Sequence, residues 1–375
     1  MPQHDGTAVP DDAGRHDLER EEIQAMGQRL RIGMIGCGEI AVRTAKGVAA
    51  SEHGAHVMVM DVNEGVAADL GRTLGVPSTT RVEELLANPD VDAVYIAVPH
   101  HLHAPLTLQA FAAGKHVLVE KPIATTLEDA GTMIAAARRA GCVLSVAYDG
   151  QVNPEAQRLQ ALIANGAIGK VVGSRIVYRG DKPESYWHGG FTGRIQTDWR
   201  TSKAKAGGGV MIMNTIHDLN TMRFVTGLEV TRISCEYETY LTSVEVEDFI
   251  AATYRYDNGA IGTLEAGSAI RGKDPLGERN RIYGERGQII FSNPARIFLT
   301  VATGEYEAGV WHNLIGGDED KEQSRTRIVD GFAAAALAGG TPPVTGEDGW
   351  AGLAIALAAY QAGVEHRAVA VAAGN

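Results

Sequence analysis

Lys121 and His217 are the side chains in this sequence best placed by type and setting to handle a proton. Lys121 lies in Val119-Glu120-Lys121-Pro122, directly after an apolar run. The residue before a proline is held extended, so Lys121 is oriented instead of being swept into a helix. Beside a second cation its ammonium would lose a proton more readily. His217 closes the stretch GGGVMIMNTIH, residues 207–217. Imidazole titrates near ~6.5, which suits a group that takes a proton while a hydride departs from a secondary alcohol. A histidine among Met and Ile is more often packed in a core than catalytic, and most lysines are solvated. Both assignments therefore depend on what positions these residues.

A hydride needs an acceptor, and the sequence contains a dinucleotide fingerprint. Gly36-x-Gly38-x-x-Ala41 follows a predicted strand and opens a helix. In that context the first glycine makes the tight turn, the second lets backbone approach a pyrophosphate, and the small third residue packs helix on strand. The next predicted strand ends at Asp61, close to the spacing at which a carboxylate holds ribose hydroxyls, and its charge would repel a 2'-phosphate. NAD is thus expected in preference to NADP. The alternative role for Asp61 is capping the helix that begins near Asn63. Pro99-His100-His101-Leu102-His103 follows another strand end. Three histidines invite a metal, but metal ligands usually come from separate elements, and the position makes this loop a cofactor neighbour instead.

These motifs ride on two rhythms. From Leu30 to about Ser145, short apolar runs alternate with helix-period segments, which requires crossover connections and a doubly wound parallel sheet. After Asn153-Pro154 and one helix, strands follow one another as in an open, mainly antiparallel sheet, with a hairpin at Asp257-Asn258-Gly259. Two further helices are expected near 325–338 and 347–363. The predicted organisation is α/β: a flexible tail over 1–29, a Rossmann domain over 30–150, and an α+β domain with an open, mainly antiparallel sheet over 151–375. A short helix is expected at Asp17–Met26. The irregular stretch 180–209 is long enough to be functional.

Composition narrows the function classes. The chain has 375 residues, 45% of them hydrophobic, and a formal net charge of −12. That charge disfavours nucleic acid or an anionic membrane as principal partner. Cys37, Cys142 and Cys235 show no paired spacing, so neither zinc nor a disulfide framework is expected and a cytoplasmic setting fits. No run is apolar enough to span a bilayer.

With these motifs in view the sequence resembles the glucose-fructose oxidoreductase and inositol dehydrogenase (Gfo/Idh/MocA) family from Leu30 to the C-terminus. The resemblance rests on the glycine fingerprint, Asp61, VPHHLHAPLTLQAFAAGKHVLVEKP, Tyr148 with Asn153-Pro154, Ile168-Gly169-Lys170, Asp198-Trp199-Arg200, and the glycine-led helix carrying His217. It implies a two-domain NAD(P)-dependent oxidoreductase of a sugar or cyclitol, a homodimer or homotetramer built through the open sheet. It also implies that Lys121 contacts nicotinamide and substrate hydroxyl, with His217 as proton acceptor or relay. The cofactor shell carried over is Gly36, Gly38, Glu39, Ile40, Asp61, Pro99, His100, His103, Glu120, Lys121 and Arg200.

Two departures from the family pattern bear on substrate. Many relatives carry Asp or Asn one turn before the histidine, where this chain has Met213; Asn214 lies on the same helix face as His217. Gly150 and Gln151 stand where relatives often have a basic residue. Tyr148, Trp187, Trp199, Arg200 and Asn214 are expected to line the substrate pocket, packing being the alternative for each Trp. The expected reaction is NAD-linked oxidation or reduction of a carbohydrate. Redox-neutral chemistry on a retained dinucleotide, and a non-catalytic dinucleotide and sugar sensor, are the alternatives.

Overall fold

The computed structural model describes residues 29–272, 277, 279–292, 294–314 and 321–374. The tail and the helix expected at Asp17–Met26 lie outside them. Six parallel strands form the first sheet: β1 (Leu30–Ile35), β2 (Gly54–Met60), β3 (Ser78–Thr79), β4 (Ala93–Ile96), β5 (His116–Val119) and β6 (Leu144–Val146). Their order is β3-β2-β1-β4-β5-β6. The direction of winding reverses between β1 and β4, and in such sheets ligands bind beyond the carboxyl ends at that point. All four residues of β4 are buried, as expected for a strand covered on both faces.

The turn after β1 is dictated by space. Gly36 has φ +91°, and a Cβ there would lie 2.3 Å from the Ala97 carbonyl oxygen beyond β4. Asp61 locks the same turn, because its Oδ2 accepts from the Cys37 N–H at 2.8 Å. Its Oδ1 accepts from Asn63 N–H at 2.9 Å. The helix Glu64–Leu74 is capped by Asn63, whose side chain accepts from Val66 N–H, so the capping role considered for Asp61 belongs to Asn63.

The second sheet has nine strands in the order β14-β13-β12-β11-β7-β10-β9-β8-β15. They are β7 (Val171–Arg179), β8 (Val230–Glu238), β9 (Phe249–Tyr256), β10 (Ile261–Gly267), β11 (Arg281–Gly284), β12 (Gly287–Ile290), β13 (Arg296–Leu299), β14 (Trp311–Asn313) and β15 (Val369–Ala370). Every pairing is antiparallel except β7 with β10. In β9, Ile250, Ala252, Tyr254 and Tyr256 are buried while Ala251, Thr253 and Arg255 are exposed, the alternation of a sheet with one open face. Gly259, at φ +88°, makes the β9–β10 turn. No described helix is long and apolar enough to cross a membrane.

The last two helices, Lys321–Ala338 and Gly346–Glu365, return the chain to the first sheet. Lys321–Ala338 packs on Glu39–Ala50 so closely that a Cβ on Gly47 would lie 2.9 Å from the Arg325 carbonyl carbon. That contact delivers Arg325 to the carboxyl edge of the first sheet.

Three glycines, Gly207, Gly208 and Gly209, precede His217. They make room for protein. Gly207 adopts φ +82°, a Cβ on Gly208 would strike the Tyr360 hydroxyl at 2.1 Å, and one on Gly209 would strike the Glu247 carbonyl oxygen at 1.9 Å. Glu247 then caps the following turn: its carboxylate accepts from Gly209 N–H at 2.6 Å and Met211 N–H at 2.9 Å. The Tyr360 hydroxyl donates to the same carboxylate at 2.8 Å. Burial pushes the Glu247 pKa up, against those hydrogen bonds. Gly209→Ala should therefore cost about 3 kcal/mol of stability through overpacking, read as a lower denaturant midpoint; an unchanged midpoint would show that this approach is not tight.

Candidate active site

A cavity of about 710 Å³ opens where the first sheet's carboxyl edge faces the glycine-led helix. Of the residues singled out in the sequence, Glu39, Ile40, His100, His103, Glu120, Lys121, Trp199, Arg200, Asn214 and His217 line it. Gly36, Gly38, Asp61 and Pro99 build the adjoining turns. Two expected substrate residues, Tyr148 and Trp187, are not in the wall. Tyr148 is fully buried, and its hydroxyl points toward Gly352 on the C-terminal helix. Its ring lies T-shaped to the His217 imidazole with centroids 5.7 Å apart, so it packs behind the histidine. Trp187 is likewise fully buried.

The glycine turn fits a dinucleotide. The helix Glu39–Ala50 starts at Gly38 with no side chain capping its first N–H groups, which leaves an anion site at the positive end of the helix. A Cβ on Gly38 would meet only Ile195, at 3.7 Å. Phe191 N–H donates to Glu39 at 2.9 Å, and Arg194 Nε donates to the Cys37 carbonyl at 2.9 Å. The segment Phe191–Ile195 of the long loop therefore runs across the turn as a strap.

Lys121 enters the cavity from the end of β5. Its Nζ donates to the Met213 carbonyl at 2.6 Å, which lies in the π-helical turn Met211–Thr215 ahead of the helix Ile216–Thr226. Such turns are frequent at functional sites. Burial lowers the Lys121 pKa, with neighbouring Glu120 opposing and Arg325 and Arg200 assisting. Glu120 is ion-paired with Arg325 at 2.6 Å and accepts from the Tyr95 hydroxyl at 2.8 Å. Burial would raise the Glu120 pKa, but Arg325 and Lys121 outweigh it and hold the carboxyl below the ordinary range.

His100 ties the loop after β4 to the second half of the chain, and His103 ties it to the turn after β5. His100 Nδ1 meets the Ala206 carbonyl at 2.7 Å, and His103 Nδ1 meets the Pro122 carbonyl at 2.7 Å. His100 also packs against Trp199, ring centroids 4.6 Å apart. The Arg200 guanidinium lies over the rings of Trp199 and Tyr186, at 4.6 and 5.2 Å. Among the described residues no three His, Cys, Asp or Glu are grouped to hold a metal ion.

Four contributors were missed in the sequence. Asp149, one residue beyond Tyr148, lines the cavity and places Oδ1 3.3 Å from His217 Nδ1. Arg325 and Tyr186 also line it. Lys182 is buried behind the wall, donating to Asn214 Oδ1 at 2.5 Å and lying 4.5 Å from the Tyr186 ring centre. Burial, then the charges of Lys121 and Arg200, push its pKa down to about 7. With its oxygen accepting from Lys182, Asn214 presents its NH₂ elsewhere. Asp149 could have been found by the strand-end logic that picked Lys121. Nothing local marks Lys182 or Arg325, since their burial is a tertiary outcome.

Residues 30–148 match the oxidoreductase family with an NAD-binding Rossmann fold, and residues 156–290 match the Gfo/Idh/MocA C-terminal domain. A 1,5-anhydro-D-fructose reductase of Ensifer adhaerens is 30% identical over 92% of this chain and 99% of its own. The chain belongs to the Gfo/Idh/MocA oxidoreductase family. The myo-inositol 2-dehydrogenase of Thermotoga maritima, of the same family, is 26% identical over 91% of this chain and 98% of its own. A levoglucosan dehydrogenase solved with NADH shares the fold, with a TM-score of 0.82 at 23% identity over 92% of this chain and all of that one. This Gfo/Idh/MocA protein thus has an NAD-binding Rossmann domain beside its mixed, mainly antiparallel sheet.

Breaking the Glu120–Arg325 pair leaves a buried cation uncompensated. Glu120→Gln should destabilise the protein at pH 7 by about 3–5 kcal/mol, measured by denaturant unfolding. Because the Glu120 pKa is depressed on folding, its contribution is complete above the unfolded value near ~4.3 and is lost as the pH falls through the folded one. The gap between wild type and variant should therefore narrow in acid, and a gap that is constant with pH would contradict this electrostatic origin.

Proposed function

We propose that this enzyme transfers hydride between NAD and a secondary alcohol or ketone of a sugar, glycoside or cyclitol. Lys121 polarises the substrate oxygen and His217 accepts or donates its proton. The observation that carries this reading is that Lys121, His217 and Asn214 share one cavity, at the sheet edge where the uncapped glycine turn would hold a dinucleotide. The named activities of the relatives, on 1,5-anhydro-D-fructose, myo-inositol and levoglucosan, agree with a polyhydroxylated ring.

The dinucleotide, when bound, supplies the acceptor or donor of the hydride. The chain's own part is proton handling and electrostatics. Lys121, held by the Met213 carbonyl, would donate to the reacting oxygen, where positive charge stabilises developing alkoxide. His217 would take the hydroxyl proton in oxidation and return it in reduction. Gly36, Gly38, Glu39, Ile40 and Asp61 would bind the pyrophosphate and adenosine end, with Pro99, His100, His103, Glu120 and Arg200 toward the nicotinamide. Arg200 and Trp199 offer a guanidinium and an aromatic face to ring hydroxyls and C–H surfaces.

A second reading has its own support. The Phe191–Ile195 strap crosses the glycine turn, an arrangement that would slow dinucleotide exchange and suit redox-neutral elimination or epimerisation on a retained cofactor. We also assign to the open face of the nine-stranded sheet, with Ala251, Thr253 and Thr263 exposed, the contact of a homodimer or homotetramer. The unpaired thiols suit a cytoplasmic setting.

Mixing the protein with NAD or NADP and a panel of cyclitols, aldoses, sugar acids and glycosides should raise reduced-nicotinamide absorbance with NAD. Lys121→Ala and His217→Ala should each lower kcat by about 10²–10⁴-fold, the range of general acid–base catalysis. Dinucleotide that co-purifies and turns over with no net absorbance change would favour the redox-neutral reading. Full activity in both variants would sink the assignment of these two residues.

A further inference from the structure

We propose that Asp149 is the positioning carboxylate of His217, holding the imidazole with its proton on Nδ1 and the Nε2 lone pair free for substrate. This rests on the dehydrogenase reading for its catalytic consequence but not for its structural content. Asp149 follows β6 on the first sheet, whereas His217 lies in the helix Ile216–Thr226, so the pair spans two separate parts of the fold. Asp149 Oδ1 stands 3.3 Å from His217 Nδ1. That nitrogen is shut off from solvent and completes no hydrogen bond among the described residues, so the Asp149 carboxylate at 3.3 Å is the acceptor that faces it.

The one carboxylate next to His217 on its own helix, Asp218, is engaged elsewhere, accepting from Asn280 Nδ2 at 2.6 Å. One turn earlier stands Met213, with a thioether in place of an acid, and the Asn214 oxygen is taken by Lys182. Tyr148 closes the remaining side of the ring edge-on. A neutral imidazole carries one N–H. Beside an anion that hydrogen sits on Nδ1, which makes Nε2 the acceptor.

The surrounding charges keep Asp149 ionised. The groups acting on the pair are Lys121 and Arg325 among the cations and Glu120 and Asp218 among the anions. Asp149 is about half exposed to the cavity; its partial loss of hydration would raise its pKa, but neighbouring His217 and Arg325 outweigh this and hold it below the ordinary carboxylate range. During oxidation the substrate O–H bond breaks and an N–H bond forms at His217 Nε2. Asp149 takes no proton; its charge stabilises the imidazolium.

The test uses the full chain and two readouts. Nitrogen-15 NMR of the histidine-labelled protein above pH 8 should show the Nδ1–H tautomer for His217 in wild type, and a mixed or Nε2–H signal in Asp149→Asn. That variant should lose about 10–100-fold in kcat, part of the acid–base contribution, with the KM for NAD within twofold. Asp149→Asn combined with Met213→Asp, which returns a carboxylate to the same imidazole from its own helix, should recover at least tenfold of that loss. An Nε2–H tautomer in wild type, or an Asp149→Asn variant with unchanged tautomer and kcat, would overturn the proposal. A tautomer that responds to Asp149 in a protein with no turnover on any substrate would uphold the pairing and count against the dehydrogenase reading alone.

Discussion

The Glu120–Arg325 ion pair makes this cleft possible. Lys121, Lys182, Arg200 and Arg325 act on one another within a partly buried volume, and cations so gathered destabilise one another. Glu120 neutralises Arg325, and it is fixed in turn by a chain of hydroxyls, since Tyr95 donates to it and Thr44 donates to Tyr95 at 2.9 Å. Two adjacent residues thus divide the labour. Glu120 absorbs the charge of Arg325, while Lys121 keeps its amine turned to the cavity.

The opposite wall is built by burying an acid beneath a helix start. Glu247 occupies the space that a side chain at Gly209 would need and accepts from the Gly209 and Met211 N–H groups at the start of the π-helical turn. That turn exposes the Met213 carbonyl to Lys121, so the lysine and the histidine helix are registered to each other by backbone. Behind it, Lys182 dictates which end of the Asn214 amide is available. The cavity wall therefore offers donors at Lys121 and Arg200 and acceptors at Asp149 and His217, a mixture suited to hydroxyl groups, which need both.

The first sheet was largely legible because doubly covered parallel strands are continuous apolar runs and its turns carry Gly36, Asp61 and Glu120-Lys121-Pro122. Lys121 and His217 were legible as candidates through residue type and strand-end or glycine-led context. Short strands such as β11, β14 and β15 were not, since two to four residues cannot display an alternation. Tyr148 and Trp187 were assigned to the pocket by type, yet an aromatic beside a cavity can pack behind the wall as readily as in it, and both do. Arg325 was illegible for the opposite reason. Its value depends on Gly47 permitting one helix to approach another across more than half the chain, a coincidence that no local pattern records.

That long reach also has a consequence in time. A chain leaving the ribosome completes all six strands of its first sheet by Val146, but the cation that neutralises Glu120 arrives only with residue 325, roughly 10–40 s later at ordinary elongation rates. Until then the nascent first domain can bury Glu120 only in protonated form or leave that edge of the sheet loosely packed. Assembly of the charged floor of the cleft is thereby tied to synthesis of nearly the whole polypeptide, so that a truncated chain would carry the dinucleotide fingerprint without the electrostatic setting that Lys121 requires.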